Sequence, residues 1–124
     1  MPHVVRAALP ADVPQMHDMI LELAQYEDGL DEVNASEEDL HRALFGGTSH
    51  SSEPANTPSG KPAIYAHVID DPPGGLAAMA IWMLNYSTWE GTYGVYLEDL
   101  FVRERHRGAG MGRSLMESLA RVCV

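Results

Sequence analysis

The sequence predicts an α/β domain whose elements run in the order β-α-α-β-β-β-α. Three observations carry that prediction. Apolar residues recur at helical spacing in three places, at residues 16–24, 40–44 and 115–122. Three strand-like runs crowd residues 63–102, the last of them rich in β-branched and aromatic residues. The segment DDPPGG (70–75) between the first two runs reads as the connection of an antiparallel hairpin.

VVRAAL (4–9) is a short apolar strand. Asp12 is placed to cap the first helix, with Pro14 in its first turn and Gln15 at the capping-box position. Met16, Met19, Ile20, Leu23 and Ala24 then form one apolar face that ends near Tyr26, and Gly29 marks the exit. Ser36 caps a second helix carrying Leu40, Ala43 and Leu44, which Gly46 and Gly47 stop. Residues 46–62 are mostly Gly, Ser, Thr and Pro and read as a mobile surface loop. AIYAHVID (63–70), LAAMAIWMLNY (76–86) and VYLEDLFV (95–102) are the three further strands. Leu115, Leu119 and Val122 give the apolar face of a last helix.

The 124 residues suffice for one domain with a modest core, and 45% hydrophobic content excludes a disordered chain. No apolar run is long enough to span a membrane, and the N-terminus lacks a basic-then-apolar leader pattern. The single cysteine, Cys123, suits a reducing compartment, and the expected setting is soluble and cytoplasmic. Cys123 itself reads as small core filler. The net charge is −10, which argues against a nucleic-acid partner. Residues 12–39 hold ten acids and no Lys or Arg, whereas residues 103–124 hold five bases against two acids. Such asymmetry fits either plain solvated faces or two ligands of opposite charge. His3, His17, His41, His50, His67 and His106 show no metal-ligand spacing, and no metal is expected.

The segment RHRGAGMGRS (105–114) carries the chemistry. Glycines at a helix start let a phosphate approach the backbone, where free N–H groups and the helix dipole favour an anion. The plainer alternative is a tight flexible turn. A Walker loop is excluded, because Gly112-Arg113-Ser114 lacks the lysine and position 107 is Arg107. The dinucleotide fingerprint fails because Gly108 and Gly110 would need a small residue where Arg113 stands.

Arg107-Gly108-Ala109-Gly110-Met111-Gly112, directly after the strand LEDLFV, resembles the Arg/Gln-x-x-Gly-x-Gly/Ala signature of the GNAT acetyltransferase superfamily. ELAQYE (22–27), NYSTWEG (85–91) and YLEDLFV (96–102) are similar to segments of its diamine acetyltransferase branch, the spermidine/spermine and thialysine enzymes. The resemblance implies a GNAT fold with a mixed, mostly antiparallel sheet and acetyl-CoA as co-substrate. It also implies direct transfer of acetyl to the primary amine of a polyamine-like small molecule. Backbone groups of Leu100, Phe101 and Val102 would pair with the pantetheine arm, and those of residues 107–112 would hold the pyrophosphate. Tyr26, Glu27 and Glu98 match acceptor-contacting positions, with Trp89 and Asp99 in neighbouring segments. Glu98 is the expected general base.

Read without the resemblance, Glu98-Asp99 could be ordinary strand alternation, Tyr26-Glu27 a helix end, and Trp89 a cover for apolar surface. The family pattern continues past the last helix, so the chain reads as a single N-acetyltransferase domain incomplete at its C-terminus, with a general-acid Tyr expected beyond it. From that follow three further expectations: a homodimer or other self-association, marginal stability, and a 124-residue chain inactive by itself. Should it be active, Tyr26, Tyr65, Tyr86, Tyr93 and Tyr96 are the phenols to consider as acid. Acetylation of a lysine or thialysine-like acceptor, and a non-catalytic acyl-CoA-binding module, are the alternative functions.

Overall fold

The local chemistry of turns and caps decides where the elements begin and end. The protein, seen as a computed structural model, is described for residues 3–46 and 54–123. Gly47 and His50, with the first part of the expected 46–62 loop, lie outside the described residues. Packing divides the chain into two units, Ala8–Ala63 and Met1–Ala7 with Ile64–Val124.

The first unit is helical. Pro10–Asp12 is a 3-10 turn, and the Asp12 carboxylate accepts the Leu9 N–H at 2.7 Å. Asp12 therefore binds backward onto Leu9 instead of capping the following helix, because its own backbone (φ −82, ψ −15) is already helical. Helix α1, Val13–Tyr26, takes Pro14 in its first turn and buries Val13, Met16 and Met19. The left-handed residue at its exit is Asp28 (φ 58), not Gly29; Asp is one of the few side chains that tolerates this conformation. Helix α2, Glu37–Phe45, starts as expected. Ser36 Oγ accepts the Asp39 N–H at 3.1 Å, and Asp39 accepts the Ser36 N–H at 2.9 Å. Gly46 (φ 74) closes it by donating to Arg42 O.

The second unit is a four-stranded sheet with one helix. Strands β1 (Arg6–Ala7), β2 (Ile64–Asp70), β3 (Leu76–Ser87) and β4 (Thr92–Val102) lie in that spatial order. Every pairing among the described residues is antiparallel, with none of the parallel pairs that a mixed sheet would contain. The first strand is shorter than VVRAAL because Pro10 turns the chain; a bidentate Arg6–Asp70 pair at 2.8 and 2.9 Å fixes what remains. Strand β4 begins three residues earlier than expected, across a turn in which Gly91 (φ 69) donates to Ser87 O.

Helix α3, Met111–Val122, buries Met111, Ser114, Leu115, Ser118 and Leu119. Met111, Leu115 and Leu119 pack with Ala78, Ala80 and Trp82 of β3, flanked by Val95, Leu97, Leu100 and Val102 of β4. Val122 is 40% exposed and Cys123 is exposed, so neither belongs to that face. The half-buried His67 joins strand to helix: Ser118 donates to Leu115 O at 2.6 Å and so accepts from His67 Nδ1 at 2.9 Å. Burial and the nearby Arg121 lower the His67 pKa.

Leu115→Ala should cost about 2–5 kcal/mol of stability in urea denaturation. Val122→Ala should stay within about 0.5 kcal/mol. Equal losses would show that α3 docks by the face expected from spacing and not by the face described.

Candidate active site

Strand β4 has a neighbour along one edge only among the described residues. Arg103 N–H donates to Ala77 O at 2.9 Å, and this bond sets the phase of the ladder. With Met79 opposite Phe101 and Ala80 opposite Leu100, antiparallel geometry turns the main-chain groups of Phe101 toward β3. Those of Leu100 and Val102 turn to the open edge. Of the three residues expected to meet a pantetheine arm, Phe101 is thus committed to the sheet.

The loop after β4 opens with a 3-10 turn, Glu104–His106. Gly108 (φ 84) and Gly110 (φ 86) are left-handed, and a Cβ on either would meet nothing within 4 Å. Open space over positive-φ glycines is what an approaching anion requires. The first helical bond of α3 is Ser114 N–H to Gly110 O, so the amides of Met111, Gly112 and Arg113 precede it without an intrahelical acceptor. His3 Nε2 donates to Ala109 O at 2.7 Å and holds the loop from outside. Gly112 differs from the other two: a Cβ there would sit at ordinary distance from Leu100 Cδ2 (3.7 Å) and Val102 Cγ2 (3.9 Å).

The three arginines that crowd this loop in sequence do not share one role. Arg107 Nε donates to Val102 O at 3.0 Å, with its guanidinium 5.5 Å from the Phe101 ring centroid. Arg113 pairs with Glu117 one turn along at 3.1 Å. Arg105 is bound to Asp71, whose carboxylate also meets His106 Nε2 at 3.1 Å. Asp71 escaped the sequence reading, because Asp-Pro-Pro-Gly reads only as a turn and its partners lie 34 and 35 residues away.

Glu98 occupies a β-bulge. Ile81 pairs with Asp99 and Trp82 with Leu97, which leaves Glu98 as the extra residue, exposed to solvent. Asp99 is half-buried beside it. The pair is therefore not simple alternation. Trp89 stands at the tip of the β3–β4 hairpin with 97% of its surface exposed, so it does not cover apolar surface. Tyr26 is the last residue of α1 and Glu27 its C-cap, both exposed and both in the helical unit. A cleft of about 470 Å³ in that unit, lined by Pro10, Val13, Glu38 and His41 among others, contains none of the expected site residues.

A model of the Acetyltransferase (GNAT) family matches residues 27–124. The chain belongs to the GNAT acetyltransferase family. The thialysine N-epsilon-acetyltransferase of Bos taurus is 30% identical over 125 residues, covering 98% of this chain and 67% of that protein. The human spermidine/spermine N(1)-acetyltransferase-like protein 1 is 29% identical over 97% of this chain and 16% of its own length. An aminoglycoside acetyltransferase from an uncultured soil metagenomic sample shares the fold, with a TM-score of 0.67, 13% identity, and coverage of 96% of this chain and 68% of its own. The chain spans about two thirds of the length of the bovine GNAT relative. Neither the fold nor these relatives support the expectation that the chain is inactive by itself.

Two outcomes test the geometry. Gly110→Ala should cost about 1–2 kcal/mol, because an L side chain is forced into the left-handed region. Gly112→Ala, with room and a helical backbone, should stay within about 0.5 kcal/mol. Equal costs in thermal unfolding would contradict the loop conformation. The second outcome concerns Asp71, whose carboxyl is held below the ordinary carboxylate range by the Arg105 hydrogen bond and then by His106. A carboxyl lowered by folding adds stability above its ordinary pKa of about 3.9, and loses it as pH falls through the folded-state value. The unsubstituted protein should therefore lose more stability than Asp71→Asn below about pH 4, and parallel pH curves would refute the pairing.

Proposed function

We propose that the protein is an N-acetyltransferase that moves acetyl from acetyl-CoA directly onto the primary amine of a small flexible cation of the polyamine type. The observation that carries this is the open glycine cradle at the start of α3, set directly after a strand whose outer edge pairs with no other strand among the described residues. The residues fit that co-substrate. The amides of Met111, Gly112 and Arg113, with Gly108 and Gly110 giving access, would hold the pyrophosphate. Leu100 and Val102 would bond the pantetheine arm as an added strand. When bound, acetyl-CoA supplies an acetyl group activated as a thioester.

The remaining requirement is a nitrogen lone pair. An aliphatic ammonium has a pKa near about 10.4 and is protonated at neutral pH. Glu98 would take the proton released by the amine, directly or through one water, from a bulge whose two neighbours are both pinned in the ladder. Asp99, Trp89, Tyr26 and Glu27 are proposed acceptor contacts, because separated carboxylates and aromatic faces suit a flexible cation. The bovine relative favours a second acceptor, the side-chain amine of a thialysine-like amino acid.

The test is release of CoA thiol with acetyl-CoA and a panel of spermidine, thialysine and a short monoamine. Turnover should be greatest with spermidine, and its preference over the monoamine should shrink as salt screens the carboxylates. Glu98→Gln should lower kcat by about 10²-fold with the acetyl-CoA KM nearly unchanged. A preference for thialysine over spermidine selects the second acceptor. No thiol release with any amine would remove the proposal.

A further inference from the structure

Asp71 has the only carboxylate in the core among the described residues, its side chain 2% exposed. A carboxylate removed from water is costly unless it is paired and hydrogen-bonded. Its own main chain is fixed by a tight turn: Asp71 N–H donates to Gly75 O at 3.0 Å, and Gly74 N–H donates to Asp71 O at 2.8 Å. Its Oδ2 receives the Arg105 guanidinium and His106 Nε2. His106 must carry its proton on Nε2 for that bond, so the Arg105 Nε that lies 3.3 Å from the same nitrogen cannot also donate to it.

Both partners belong to the 3-10 turn that delivers the chain into the cradle. Apart from Asp71, two short-range bonds shape that turn, His106 N–H to Arg103 O at 2.8 Å and Arg107 N–H to Glu104 O at 3.2 Å. A three-residue turn of this kind has little stability of its own. The next residue is Arg107, which already reaches back to Val102 O. On the far side, His3 holds Ala109 O. The cradle is therefore held by side-chain contacts from Asp71, Arg107 and His3, of which Asp71 alone is buried, its carboxylate bound by both Arg105 and His106.

We infer that Asp71 is a positioning residue: through Arg105 and His106 it fixes the backbone of residues 104–107, and so sets the direction in which the cradle amides face a pyrophosphate. The role rests on the proposed reading of the cradle, but its first measurement does not. In the full chain, Asp71→Asn and Arg105→Gln should each speed hydrogen exchange of the His106, Arg107 and Ser114 amides by about tenfold, while the β2–β3 ladder amides stay within about twofold. Arg105 is 60% exposed, so its substitution guards against a variant that fails to fold. In the transfer assay, both variants should raise the acetyl-CoA KM by about tenfold with kcat at saturation little changed, and the double variant should be no worse than either alone.

Exchange that quickens equally across the ladder would make Asp71 a general structural residue and overturn the inference. Unchanged exchange at the three loop amides would also overturn it, even if acetyl-CoA binds. Faster loop exchange in a protein that binds no acetyl-CoA would uphold the positioning and discard the cradle reading.

Discussion

The bond from Arg103 N–H to Ala77 O is where the ladder between β3 and β4 ends and the glycine loop begins. It fixes which main-chain groups of the last strand the sheet consumes and which it leaves for a ligand. Shifting that phase by one residue would turn Phe101 outward and bury the groups of Leu100 and Val102. It would also tilt the loop, because Arg107 reads the same phase through Val102 O. Side-chain packing supports the choice, since Leu100 and Val102 lie under Gly112 at the first turn of α3. Edge, loop and helix start are therefore one mechanical unit.

Charge is distributed within that unit by function of position and not by count. The C-terminal region has an excess of arginine, but Arg105 is withdrawn to a buried carboxylate and Arg113 faces Glu117. In the proposed site, what would remain for an anion is mainly backbone: the amides at the start of α3 and the dipole behind them. Backbone donors cost no side-chain entropy when a ligand arrives, which would suit a site that binds and releases at each turnover. The exposed arginines would still raise the local concentration of a phosphate, an effect that salt would remove first.

Element order and type were legible in the sequence because period and punctuation agreed. The cap at Ser36, the glycine stop at Gly46 and the hairpin around DDPPGG all appear where they were read. The failures share one cause, which is that local pattern does not see distant partners. Asp12 looks like a helix cap until Leu9 claims its carboxylate. Val122 and Cys123 continue a helical period beyond the end of what the sheet can cover. Asp71 reads as turn chemistry because its cation partners arrive only after β3 and β4 have been laid down. The open glycine turn before the last helix was legible from glycine spacing, whereas the division of labour among its arginines was not.

The bulge at Glu98 comes from the pairing and not from the sequence pattern, in which Glu98-Asp99 looks like plain alternation. Apolar residues fall at 95 and 97 and then run unbroken from 100 to 102, so only the packing shows that 100 and 102 share the face of 95 and 97. In a regular strand one of these two pairs would point away from α3, yet all four residues pack beside it. An extra residue must absorb the difference, and Glu98 is that residue. Its backbone position is therefore needed to keep Val95 and Leu97 on the core face, while its side chain, left out of both ladder and core, is available for chemistry. The two roles separate cleanly: removing the residue would flip every side chain from Thr92 to Leu97, whereas replacing its carboxylate would leave the sheet untouched. A residue held by its neighbours' pairing and not by its own side chain can aim a carboxylate without needing any structural contact from it.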